Sequence, residues 1–249
     1  KVKFTRSGGE ANSVAIRLAR SYTKKQKIAF CGYHGWHDWY LSVNIKNKKN
    51  LDEHLIKGLN VEGVPKQLKN TVFAFNYNDF ETLKSLCKRK NIGIIKMEVM
   101  RNIKPKNNFL KKVRKLCDKN NILLIFDECT SGFRETFGGL YKKYKITPDL
   151  CILGKALGNG FPITAVLGKK HVMEKVNSTF ISSTYWSERS GFSAALSTLN
   201  EMEKIKSWKI ISKKGQYIKK KWKYLAKKNS LRLDINGLDP LPSFQIKSK

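Results

Sequence analysis

"PDLCILGKALGNGFPI" (148–163) decides how the rest of the chain is read. Leu150 to Leu153 form an apolar run of strand length with no polar alternation. Such a run marks a strand buried on both faces of a sheet. Lys155 follows it, among glycines at 154, 158 and 160. Most lysines of this lysine-rich chain must be solvated surface charges, and a surface lysine at a strand end is one reading of Lys155. The other starts from its place at the mouth of a buried strand, where the glycines leave room for a bulky ligand. A partly desolvated lysine amine has a lowered pKa and becomes a nucleophile, whose obvious covalent role is a Schiff base with an aldehyde.

Similar apolar runs recur on both sides of this stretch. "KVKFTRSG" (1–8), "KIAFC" (27–31), "TVFAF" (71–75), "IGIIKMEV" (92–99), "ILLIFD" (122–127), "DLCILG" (149–154) and "ITAVLG" (163–168) read as strands. Ala11, Val14, Ala15, Leu18 and Tyr22 have helical spacing, and helices also fit 79–90 and 107–120. Continuous apolar strands alternating with helices predict an α/β fold, with a mainly parallel sheet covered on both faces. After about residue 170 the strands stop. A helix fits 188–205, a lysine-rich amphipathic helix fits 207–228, and "LRLDIN" (231–236) reads as the first strand of a small second domain. The expected division is a large domain over 1–170, an interdomain segment and helix over 171–205, and the start of a truncated small domain over 206–249.

Composition narrows the function classes. The net charge is +31, from 50 basic and 19 acidic residues among 249, and it is spread along the chain as lysine. Lysine adds charge without bidentate base readout, which argues against nucleic acid as the partner. No apolar run approaches the roughly 20 residues that span a bilayer, so no membrane is expected. The five cysteines (31, 87, 117, 129, 151) are scattered and odd in number. They fit reduced thiols in a cytoplasmic protein better than a disulfide framework or zinc site.

In sheets of this kind ligands bind beyond the carboxyl ends of the strands. Four such ends carry unusual residues: Ser7-Gly8-Gly9, Tyr33-His34-Gly35, Asp127-Glu128 and Lys155. "SGGEA" (7–11) leaves a strand and opens a helix, and its exposed N–H groups and helix N-terminus suit a phosphate. A plain turn with a helix cap is the alternative there. Asp127 ends an apolar strand, so its carboxylate needs a partner. A protonated ring nitrogen would serve; so would a helix cap or a local arginine such as Arg134. "YHGWHDW" (33–39) raises a metal reading through His34, His37 and Asp38, but packing beside a cofactor explains it better. A phosphate cradle, a ring-nitrogen carboxylate and a Schiff-base lysine together match the needs of pyridoxal 5'-phosphate.

With these segments assembled, the chain resembles the class III (ω-type) pyridoxal-phosphate aminotransferases, near the group that includes glutamate-1-semialdehyde aminomutase. "SGGEANSVAIRLAR" (7–20), "GYHGWHD" (32–38), "LLIFDECTSGFRETFGG" (123–139), "PDLCILGKALGNGFPI" (148–163) and "FISSTYWSERSGFSAAL" (180–196) carry the resemblance. It implies the type I fold, a seven-stranded, mostly parallel sheet with a smaller flanking domain, in a fragment of a longer chain. It implies Lys155 and Asp127 as catalytic residues. Gly8 and Gly9 match the phosphate turn, Gly9 without the hydroxyl or methyl usual there. Tyr33 matches the aromatic residue that stacks on the cofactor ring, and Cys129 the residue packed on its other face. Glu98 matches a buried acid near the cofactor, although Val99 replaces the usual proline. Thr184 matches a threonine that reaches the cofactor phosphate of a neighbouring subunit, which implies a homodimer with shared active sites. The implied activity is transfer of an amino group from an amino-acid donor to a carbonyl acceptor. The alternatives are an aminomutase acting within one molecule and, remotely, a basic non-catalytic binding module. The polar "WSER" (186–189) suggests a hydroxyl-rich acceptor.

Overall fold

Seven apolar runs pair into one sheet in a computed structural model that describes residues 1–54 and 57–247. The strands are β1 (Val2–Thr5), β2 (Lys27–Cys31), β3 (Val72–Ala74), β4 (Ile92–Met97), β5 (Leu123–Glu128), β6 (Leu150–Leu153) and β7 (Thr164–Gly168). Their order is β1-β7-β6-β5-β4-β2-β3. β2 to β6 run parallel, and β7 runs antiparallel to both β6 and β1. The reversal has a local cause. Residues 154–163 hold only a 3-10 turn, whereas a parallel crossover needs roughly a dozen residues and usually a helix. Because β1 and β6 both oppose β7, the carboxyl ends of β1, β2, β5 and β6 lie along one edge of the sheet.

The helices are α1 (Gly8–Thr23), α2 (Asp38–Leu41), α3 (Phe80–Lys90), α4 (Phe109–Asn120), α5 (Tyr141–Tyr144), α6 (Lys170–Met173), α7 (Arg189–Ile205) and α8 (Ser207–Lys228). None of the described helices is long and apolar enough to cross a membrane. α1 starts where Ser7 and Glu10 cap each other: Ser7 Oγ accepts the Glu10 N–H at 3.2 Å, and Glu10 Oε2 accepts the Ser7 N–H at 2.9 Å. It buries Ala11, Val14, Ala15, Leu18 and Ala19, which pack with Phe30, Ile94, Ile125, Ile152 and Val166 on one sheet face. Leu83 of α3 and Leu110, Val113 and Cys117 of α4 cover the other face, over Ile95, Met97, Leu124 and Phe126. Side chains alternate along a strand, so Lys96 and Asp127 fall on the α1 face with Ile94 and Ile125.

β8 (Leu233–Asn236) and β9 (Ser243–Ile246) form an antiparallel hairpin where the small domain is expected to begin. Its turn docks on the large sheet's surroundings: the Gly237 N–H donates to Asn102 O at 3.0 Å, and Leu238 is buried. Residues 248 and 249 of the expected small domain lie outside the described residues.

Leu124 of β5 is fully buried on the sheet face that α3 and α4 cover. Leu124→Ala is expected to lower unfolding stability by about 2–5 kcal/mol, and Ser7→Ala by about 1 kcal/mol through the lost cap. Urea denaturation reads both, and equal losses would contradict this ranking of core over cap.

Candidate active site

The sheet edge brings the sequence-predicted residues together around Cys129. A Cβ on Gly8 would lie 3.4 Å from Cys129 Sγ, and one on Gly154 would lie 3.2 Å from it. The phosphate turn and the end of the lysine's strand therefore meet at one sulfur, two residues from Asp127. Burial and the neighbouring Asp127 push the Cys129 thiol well above its ordinary pKa. It stays protonated, which suits a packing atom rather than a nucleophile.

Lys155 differs from its expectation in one respect. Its side chain is exposed rather than partly desolvated, because Gly154 carries the chain past the end of β6 onto a surface turn. Its Nζ donates to Thr130 Oγ1 at 2.8 Å. Its backbone is left-handed, with φ of 46°, a conformation that costs a non-glycine residue roughly 1 kcal/mol or more and marks functional turns.

Arg134, the local arginine considered as a partner for Asp127, makes no ion pair with it among the described residues. Instead the carboxylate accepts the His34 Nδ1–H at 3.0 Å on Oδ2 and the Cys129 N–H at 3.1 Å on Oδ1. Lys96 Nζ lies 4.0 Å from Oδ2. Burial opposes ionisation of Asp127, but Lys96, His34 and the Cys129 amide outweigh it and hold the carboxyl below its ordinary range. Burial and the Lys96 charge push the His34 pKa down to about 4, against the pull of Asp127 and of the Cys31 carbonyl, 3.1 Å from Nε2. Sequence reasoning missed Lys96. Its signal was a lysine inside the otherwise continuous apolar run "IGIIKMEV".

The two glycine turns interlock. A Cβ on Gly9 would sit 2.7 Å from His37 Nε2, and one on Gly35 3.4 Å from Gly9 Cα. His37 Nδ1 pairs with Ser13 Oγ of α1 at 2.6 Å. With glycine at position 9, the His37 ring packs directly over the first turn of α1; a side chain there would force the ring to shift. His34 and His37 are engaged by different partners, and no cluster of three metal ligands occurs among the described residues. Tyr33 donates its N–H to Glu98 Oε2 at 3.2 Å, and the Arg101 guanidinium lies 5.7 Å from its ring centroid. Burial and Asp127 push Glu98 up to about 7, against Arg101 and the Tyr33 amide. Glu98, Tyr33 and Arg101 line a cavity of about 710 Å³, and Lys155 lines a separate one of about 530 Å³. Thr184 stands apart, exposed on a 3-10 turn that touches β1. Glu188 of "WSER" is already engaged: it caps α7 at the Ser190 N–H, 2.7 Å, and pairs with Arg6 at 3.1 Å.

This donor set fits pyridoxal phosphate. Among the described residues the N–H groups of Gly8 and Gly9 donate to no protein acceptor at the head of α1. The Asp127 carboxylate is held ionised, and Oδ1 takes only one N–H. A primary amine stands at the end of the next strand.

Comparison with known proteins agrees with the fold. The family model "Aminotransferase class-III" matches residues 1–248. The chain is 33% identical to a 3-aminobutyryl-CoA aminotransferase of Cloacimonas acidaminovorans over 98% of its own length and 57% of that protein. It is 37% identical to a glutamate-1-semialdehyde 2,1-aminomutase of Methanobrevibacter smithii, covering 88% of itself and 52% of the relative. The structure of an omega-transaminase from Sphaerobacter thermophilus superposes with a TM-score of 0.85 at 25% identity, over 99% of this chain and 59% of that one. The chain thus spans about half the length of the curated relatives it matches.

The raised Glu98 carries a pH signature. A carboxyl whose folded pKa exceeds its unfolded value holds more protons when native, so stability falls between the two values and levels off above them. For Glu98 the window runs from 4.5 to about 7. Glu98→Gln should gain on the wild type across that window, by up to roughly 3 kcal/mol. Urea denaturation at pH 5 and pH 7.5 checks this; a constant offset between the two proteins would contradict it.

Proposed function

The chain belongs to the class-III aminotransferase family, and from that premise we propose that it forms the cofactor-binding core of a pyridoxal 5'-phosphate-dependent aminotransferase. The enzyme moves an amino group from an amino-acid donor to a carbonyl acceptor. The observation that carries this reading is the meeting of Gly8, Asp127 and the Lys155 strand end at Cys129. When bound, pyridoxal phosphate supplies an aldehyde and a ring that accepts electrons from the substrate's α-carbon.

The chain's residues do the rest. Gly8 and Gly9 bind the phosphate through their N–H groups, helped by the α1 dipole. Asp127, oriented by His34, would hold a proton at the ring nitrogen, and Tyr33 and Cys129 would pack against the cofactor. Lys155 would supply the amine that holds the aldehyde and the base that takes the substrate's α-proton. The active enzyme is a cytoplasmic homodimer, in which Thr184 serves the neighbouring site. Five free thiols suit a reducing compartment.

An aminomutase that shifts an amine within glutamate-1-semialdehyde is the second reading, favoured by the 37% identical relative. Lys155 and Asp127 serve both reactions alike, so turnover must separate them.

Purified protein with added pyridoxal phosphate should show a visible absorption band bleached by borohydride. Lys155→Ala should lose the trapped adduct and at least about 10²–10⁴-fold of its turnover. Amino transfer that requires a separate carbonyl acceptor supports the aminotransferase. Conversion of glutamate-1-semialdehyde with no second substrate would put the aminomutase in its place.

A further inference from the structure

Lys96 is a buried group to which that reading assigns no role. It lies in the middle of β4, is fully buried, and its Nζ has no hydrogen-bond partner among the described residues. Its cross-strand neighbours in register are Phe30 of β2 and Ile125 of β5. An apolar side chain would satisfy them, so the packing of the sheet does not call for a charge here. A buried ammonium is costly unless an anion compensates it. The anion in reach is Asp127, whose Oδ2 lies 4.0 Å away and already accepts from His34.

We propose that Lys96 is a positioning residue that shares the charge of Asp127 with the ring nitrogen of the cofactor. It thereby stabilises the cofactor-free chain and loosens the hold of Asp127 on the cofactor. The proposal rests on the pyridoxal-phosphate reading. Without cofactor, Lys96 compensates a buried carboxylate whose only other side-chain partner among the described residues is the His34 imidazole. With cofactor, a protonated ring nitrogen becomes a second cation on the same carboxylate, and two cations in a poorly screened site oppose each other.

The groups around Lys96 are few. Asp127 faces it from β5, His34 reaches the same Oδ2 from the loop after β2, and Glu98 follows the end of its own strand. Cys129 and Cys151 complete the set, and both thiols are held protonated by burial. Burial also lowers the Lys96 pKa against the pull of Asp127. The second cation lowers it further, so binding tightens as pH rises through the Lys96 pKa.

The test titrates cofactor-free protein with pyridoxal phosphate across pH, for wild type, Lys96→Met and Lys96→Arg. Melting temperatures are taken with and without the cofactor. Lys96→Met should bind at least about tenfold tighter and lose the part of the pH dependence that wild type shows. It should melt lower without cofactor and gain more on binding. Lys96→Arg keeps its charge at every pH, so it should bind no tighter than wild type and also lose that pH dependence. If Lys96→Met does not fold, Lys96→Gln, neutral but able to donate to Asp127, carries the same comparison. Wild-type affinity and pH profile in a folded neutral variant would overturn the proposal, as would weaker binding. If wild type binds and Lys155→Ala loses the borohydride adduct while the neutral variant is unchanged, only the role of Lys96 falls. If wild type takes up no pyridoxal phosphate, the cofactor reading falls and this proposal with it.

Discussion

A carboxylate buried at the end of a central strand has to be compensated, and Asp127 sets that condition for the rest of the site. It sits 5% exposed at the end of β5, where solvation is largely lost. Left alone it would take up a proton. Two hydrogen bonds and one nearby charge keep it ionised: the imidazole from the loop after β2, its own downstream amide, and the ammonium on β4 at 4.0 Å. Each comes from a different element, so the carboxylate links β2, β4 and β5 at the edge where the chemistry lies.

The same edge shows why glycine is used twice over. The loop after β2 must come close enough to place His34 on Asp127. That approach brings His37 against the first turn of α1, where a side chain at position 9 would collide with it. The turn thus keeps a bare backbone whose amides point outward at the head of a helix. Glycine at position 9 lets the His37 ring pack close while its backbone N–H stays open to an anion.

Neighbouring acids take opposite courses under these conditions. Asp127 lies within reach of two basic groups and stays ionised, whereas Glu98 and Glu128 are each pushed up to about 7, chiefly by burial. Glu128 accepts the Tyr141 N–H at 3.1 Å and the Ser131 hydroxyl at 3.0 Å, and ties down the loop between β5 and α5. Adjacent carboxylates on one strand point to opposite faces of the sheet, so one faces the site and the other secures a loop.

The sequence by itself determined the elements and the edge on which the site lies. Apolar runs and helical spacing are local signals, and burying them against each other leaves few architectures. The Lys155, Asp127 and Gly8-Gly9 assignments followed because each ends a strand, a position legible in one dimension. Tertiary structure alone decided what those groups touch. Asp127 met Lys96 and His34 in place of an arginine close by in sequence, because strand register places β4 beside β5. Lys155 came out exposed although Ala156 and Leu157 of the same turn are buried. The pairing of His37 with Ser13 and the engagement of Glu188 by Arg6 were likewise settled by contacts between segments distant in sequence. Spacing along the chain holds no information about such contacts until the chain has folded.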